Sequence, residues 1–253
     1  MRLRERRLVM STSANGTIAL IGAGEYLPPI ASVDKMLLER IGDTPHVVVL
    51  PTAAVPDGPG SAERWARMGV EHFTQLGATV EPVMLLNRTD ADNHDIVARL
   101  AAANFIYISG GQPRYLLETL QGTASWQAIT HILTTGGVIA GCSAGAMVLG
   151  SAVFDFPRVW RTIPALGLVP GIAVIPHFNE LPRWLTSTIS RAASRKIIVV
   201  GIDGTTALVG SNGQWIVQGR GSVTVITRKQ KKRYQAGEQV TLLPAPADGA
   251  GLF

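Results

Sequence analysis

Among 253 residues there is one cysteine, Cys142. That excludes an internal disulfide and any zinc site built on several thiolates, and it fits a reducing, cytoplasmic compartment. Long apolar runs are missing too. No stretch approaches the roughly 18 residues that span a bilayer, so no membrane partner is expected. The opening MRLRERRLVMSTSANG is basic but lacks the apolar run of a signal peptide. Residues 1–16 are expected to form a disordered arm, with Met10 as an alternative start. Charge is sparse at 16%, aromatics make up 6%, and neither a repeat nor a low-complexity segment stands out.

The net charge of +5 is unevenly placed. Arg2, Arg4, Arg6 and Arg7 with Glu5 contribute +3, residues Arg228, Lys229, Lys231, Lys232 and Arg233 contribute +5, and the rest of the chain carries −3. A basic patch confined to one terminus and one turn, with no aromatic platform between its cations, gives no nucleic-acid partner. A homodimer stays open on composition alone. Phosphate-binding signatures are absent: there is no G-x-x-x-x-G-K, and IGAGEY (21–26) lacks the last glycine of G-x-G-x-x-G. That stretch reads as a glycine turn near a pocket.

What is present is a 46% hydrophobic, globular composition. Short apolar runs bounded by turn residues recur at 17–24, 46–53, 79–85, 105–111, 137–143, 172–178 and 196–203. They read as strands buried on both faces. Amphipathic stretches of helical length lie between several of them, among them SVDKMLLERIG, SAERWARMGVEHFTQLG, PRYLLETLQG and LPRWLTSTISRAAS. The alternation predicts an α/β fold, a largely parallel sheet with helices on both faces. TALVG, QWIVQG and SVTVITRK near the end predict an antiparallel extension. The reading is one α/β domain over 17–243 and a loose tail over 244–253.

The stretch IAGCSAGAM (139–147) fits G-x-S-x-G, with Gly141, Ser143 and Gly145 in frame. A serine on a sharp strand-to-helix turn needs glycines two residues to either side, where side chains would clash. Centring the turn on Cys142 puts Ala140 and Ala144 at those places, so Cys142 is expected to pack beside the turn. A serine nucleophile needs a base. His46 opens a strand, and His72, His94 and His131 lie in helix-like segments where solvent exposure is expected. His177 follows the apolar run IAVIP, at the end of a strand where open sheets build their sites. Gly110 and Gly111 of ISGGQPRYLLETL let backbone amides approach a carbonyl, and Gln112 adds a side-chain donor.

Taken in order, GGQPRYLLETL, GCSAGA and PHFN resemble the serine peptidase family that includes dipeptidase E and cyanophycinase, with a class I glutamine amidotransferase-like fold. The likeness runs from about Thr17 to Thr227. It implies a hydrolase that cleaves peptide or isopeptide bonds through an acyl-enzyme, with Ser143 as nucleophile and His177 as base. Gly111 and Ala144 would supply oxyanion-hole amides, and no metal or organic cofactor is implied. Amidotransferases of this fold use a cysteine and H-x-E, whereas Asn179 stands two residues after His177, so glutamine hydrolysis is not expected. For the third member the sequence offers Asp155, with Glu180 and Asn179 as reserves. Cyanophycinase-like sequences carry an arginine-rich stretch after the histidine; here NELPRW offers only Arg183. A small peptide, including one with an acidic residue at the scissile bond, is the expected substrate, with Gln112, Asn179, Arg183 or Arg114 binding it. A non-catalytic binding module of the same fold and an esterase with the same triad are the rival readings.

Overall fold

The computed structural model describes residues 16–42, 44–155, 158–182, 184–186, 188 and 197–246, with 158–160 described as backbone. Most of the predicted arm, the last part of the predicted tail and Arg183 therefore lie outside the described residues.

Five strands form the parallel part of the main sheet: β1 (Thr17–Ile21), β2 (His46–Leu50), β3 (Thr79–Pro82), β4 (Phe105–Ile108) and β5 (Val138–Cys142). Their β-branched runs suit strands that meet protein on both sides. Two antiparallel strands, β10 (Thr206–Ser211) and β11 (Gln214–Gly219), extend the edge beside β1. The spatial order is β11-β10-β1-β5-β4-β2-β3.

Alternation along each strand sends its side chains to two cores. On one face Ile21, Val47, Val49 and Tyr107 pack against Val33 and Leu37 of α1 (Ala31–Leu38) and Phe73 of α2 (Ser61–Gln75). On the other, Leu20, Val48 and Ile108 meet four helices, α3 (His94–Ala102), α4 (Pro113–Leu120), α5 (Ala124–His131) and α6 (Ala144–Leu149). The expected α/β architecture with helices on both faces is present.

One placement differs from expectation. The runs at 172–178 and 196–203 do not join the main sheet. They give β8 (Ile172–Ile175) and β9 (Ile198–Ile202), which pair in parallel inside a second sheet ordered β13-β12-β9-β8. Its other strands are β12 (Ser222–Ile226) and β13 (Lys231–Gln235), and a hairpin of β6 (Ala152–Asp155) and β7 (Arg158–Pro164) packs nearby through Phe154, Ala173 and Ile175. The two sheets meet where β1 and β9 end: a Cβ on Gly22 would overlap the Asp203 carbonyl.

The basic run at 228–233 ends as β13, an exposed strand at the edge of this second sheet. Lysines on an edge strand keep it from pairing with another chain. Arg233 is tied down by Asp203, with 3.3 Å between Nη2 and Oδ2.

Candidate active site

Loops at the carboxyl ends of β1, β4 and β5 converge, because β5 lies between β1 and β4, with Ile21 opposite Cys142 and Ile108 opposite Gly141. The β8 loop of the second sheet faces them. The site is assembled at this carboxyl edge, where open α/β sheets place their ligands.

Ser143 has φ 50° and ψ −110°, a sparsely populated conformation for a residue with a side chain. Its N–H is held by the Ile21 carbonyl at 2.9 Å. The glycine frame has a direct steric cause. A Cβ on Gly141 would lie 2.6 Å from the carbonyl carbon of Gly145, and one on Gly145 would overlap the carbonyl oxygen of Ile108. The turn therefore closes only with glycine on both sides of the serine.

Cys142 is fully buried, and its thiol donates to Glu25 Oε2 at 3.2 Å. Burial, and then the Glu25 carboxylate, push the thiol well above its ordinary value. A thiol that does not ionise is a poor nucleophile. We expect iodoacetamide to leave Cys142 unmodified in the native protein and to alkylate it once urea unfolds the chain, as read by intact mass.

His177 sits in the left-handed region, φ 51° and ψ 33°, at the head of a short 3-10 turn over Phe178–Glu180. That turn aims both ring nitrogens at partners. Nε2 lies 3.4 Å from Ser143 Oγ, and Nδ1 lies 3.1 Å from Glu180 Oε2. With a carboxylate on Nδ1, that nitrogen carries the hydrogen and Nε2 presents its lone pair to the serine. This is the hydrogen-bonded order of a serine, a base and an orienting acid.

The sequence preferred Asp155 for the last place, and here the structure differs. Asp155 ends β6, across the cavity, where Arg114 Nη1 is 3.9 Å from its carboxylate; the Nδ1 partner is Glu180, held in reserve. Asn179, one of the substrate ligands expected from the sequence, has a structural contact. Its Oδ1 accepts the Gly204 N–H at 2.7 Å, so it braces the turn after β9. Gln112 donates through Nε2 to Asp57 Oδ1 at 3.0 Å, and Arg114 through Nε to Glu118 at 2.9 Å. His72 also departs from its expected exposure. It is buried with its Nε2 2.8 Å from Asp34 Oδ2, because the core-facing side of α2 meets a carboxylate that needs a partner.

Gly111, with φ 135°, sits where any side chain would overlap the Ala53 carbonyl. Its amide and that of Ala144, first residue of α6, are the two N–H groups that the resemblance assigned to an oxyanion. Sequence reasoning passed over Glu25. The IGAGEY stretch that carries it signalled only a turn, yet its buried carboxylate lies beneath the serine turn.

The cavity beside His177 is about 450 Å³. Val153, Ile163, Ile175 and Leu181 give it apolar walls, and Arg114 and Asp155 stand at its charged side. Among the described residues, no group of three or more His, Cys, Asp or Glu side chains is placed to hold a metal ion. No described helix is long and apolar enough to cross a membrane.

The profile of Peptidase family S51 matches residues 18–217. Cyanophycinase of Synechococcus elongatus is 28% identical over 224 residues, covering 83% of this chain and 68% of that protein. Peptidase E of Escherichia coli O1:K1 / APEC is 28% identical over 157 residues, 60% of this chain and 67% of that protein. The crystal structure of a peptidase from an acI-B1 Actinobacterium superposes with a TM-score of 0.82 at 35% identity, covering 90% of this chain and 97% of that one. A profile match that begins in β1, ends in β11 and takes in both the serine turn and the histidine loop makes this chain a member of Peptidase family S51, a serine peptidase.

Proposed function

We propose that Ser143, His177 and Glu180 are the catalytic triad of this peptidase and that it hydrolyses small peptides through an acyl-enzyme. The observation that carries this is the continuous chain of contacts from Ser143 Oγ through the imidazole to Glu180. Ser143 attacks the scissile carbonyl while His177 Nε2 takes its proton. Glu180 holds the ring in place and stabilises the imidazolium that results. The amides of Gly111 and Ala144 receive the oxyanion, a contribution of about 10²–10³-fold per donor in comparable sites. His177 then passes the proton to the leaving nitrogen, and water releases the acyl group by the same route in reverse. The reduced, buried Cys142 fits action in the cytoplasm.

The cavity supports a narrower reading of the substrate. Its volume suits a short peptide rather than a folded chain. Arg114 already faces two carboxylates, Glu118 and Asp155, so it offers little to a further acidic group. The apolar walls favour an uncharged side chain beside the scissile bond. A panel of dipeptides and tripeptides varying that residue among Leu, Ala, Asp and Arg is expected to give Leu at least about tenfold higher kcat/KM than Asp or Arg. Preference for aspartyl peptides would reverse this assignment, and activity on short esters alone would favour an esterase. Ser143→Ala serves as the blank throughout.

A further inference from the structure

We propose that Glu25 is a positioning residue, whose buried carboxylate holds the Gly110–Gly111 loop in register with the serine turn so that the Gly111 amide meets the oxyanion. The inference rests on the roles proposed above for Ser143 and Gly111. Glu25 follows β1 and is 8% exposed. Oε1 accepts the Gly110 N–H at 3.0 Å and Oε2 the Cys142 S–H at 3.2 Å. Gly110 immediately precedes the oxyanion donor and Cys142 immediately precedes the nucleophile. One side chain thus couples the two loops whose relative placement sets the geometry of attack.

The remaining amides of the loop are also committed. Ser109 donates to the Leu50 carbonyl at 3.0 Å and Gln112 to that of Ala53 at 2.7 Å. With Gly110 held by Glu25, the amides on both sides of Gly111 are pinned, and only its own points free among the described residues. Two successive glycines are otherwise free to rotate the peptide between them. The glycine at 110 is itself accounted for, because a Cβ there would overlap Glu25 Oε1 and lie 3.1 Å from the Cβ of Ser143. Burying a carboxylate against two neutral donors, rather than against a cation, is costly for structure alone. An amide fixed to receive transition-state charge gives that burial a function.

The test is the series Glu25→Gln, Glu25→Asp and Glu25→Ala, with kcat and KM on a cleaved peptide, affinity for a peptide boronic acid as transition-state mimic, and melting temperature. Gln keeps an acceptor at the right reach, so kcat is expected within about fivefold of the parent. Asp keeps the charge but withdraws it by one methylene, and Ala removes it. Both are expected to lower kcat about 10²-fold with KM nearly unchanged, and to weaken the boronic acid in parallel. An order with Asp above Gln would show that charge rather than reach matters and would overturn the proposal. So would a series that is flat within twofold. A kcat loss that only tracks the folded fraction, with boronic-acid affinity per folded molecule intact, would leave a structural role and overturn it too. Ser143→Ala separates the layers. If it abolishes hydrolysis while the Glu25 series is flat, only this inference fails; if it leaves hydrolysis intact, the proposed site fails and this inference with it.

Discussion

His177→Ala is expected to lower kcat by about 10⁴-fold and Glu180→Gln by about 10²-fold, while Asp155→Asn stays within about threefold of the parent. As the proposed base, His177 serves both chemical steps, so its loss would leave only what the proposed oxyanion amides supply. In the proposed triad Glu180 acts through the ring. A buried acid in this position is worth about 10⁴, but the Glu180 side chain is 59% exposed, and water screens its effect on the imidazolium. Asp155→Asn is expected to spare activity because the Asp155 carboxylate faces Arg114. Exchanged outcomes, with Asp155→Asn the damaging variant, would restore the assignment that the sequence suggested.

Gly145→Ala is expected to destabilise the fold by about 3 kcal/mol, against the intrinsic preference of a helix for alanine over glycine of about 1 kcal/mol. The added methyl would lie 3.1 Å from the carbonyl carbon of Ile108 and closer still to its oxygen. That carbonyl belongs to β4, hydrogen-bonded on both sides by β2 and β5, so it has no room to retreat. Urea unfolding followed by fluorescence measures the loss. Gly42→Ala is the control, because nothing lies within 4 Å of a Cβ there, and it should change stability by less than about 0.5 kcal/mol. Equal behaviour of the two variants would mean that the turn tolerates side chains and that its glycines have another cause.

The serine turn and the parallel sheet were legible because each marks a short continuous stretch of sequence. Glycine at 141 is demanded by the backbone of its own turn and glycine at 145 by the Ile108 carbonyl of the adjoining strand, and the pair is spelled out in five consecutive residues; a strand buried on both faces must be apolar throughout. Sheet membership was not legible. IAVI and IVVGI are as apolar as the runs of the main sheet, and an apolar run does not say which neighbour it pairs with. The same separation in space hid the proposed acid. Asp155 looked suitable for its place between serine and histidine in the chain, but β6 turns it toward Arg114, whereas the single 3-10 turn after β8 folds Glu180 back onto His177 three residues away. Glu25 was hidden for the opposite reason. Its partners, Gly110 and Cys142, are 85 and 117 residues away.

Ser143 Oγ, and not the thiol of the cysteine beside it, is the proposed reacting atom. Incubating the native protein with a fluorophosphonate and mapping the adduct by peptide mass spectrometry addresses it directly. The expected result is one adduct on Ser143, lost in Ser143→Ala and His177→Ala and retained in Cys142→Ala. A folded protein that takes up no label, or one labelled at another residue with Ser143 untouched, would contradict it.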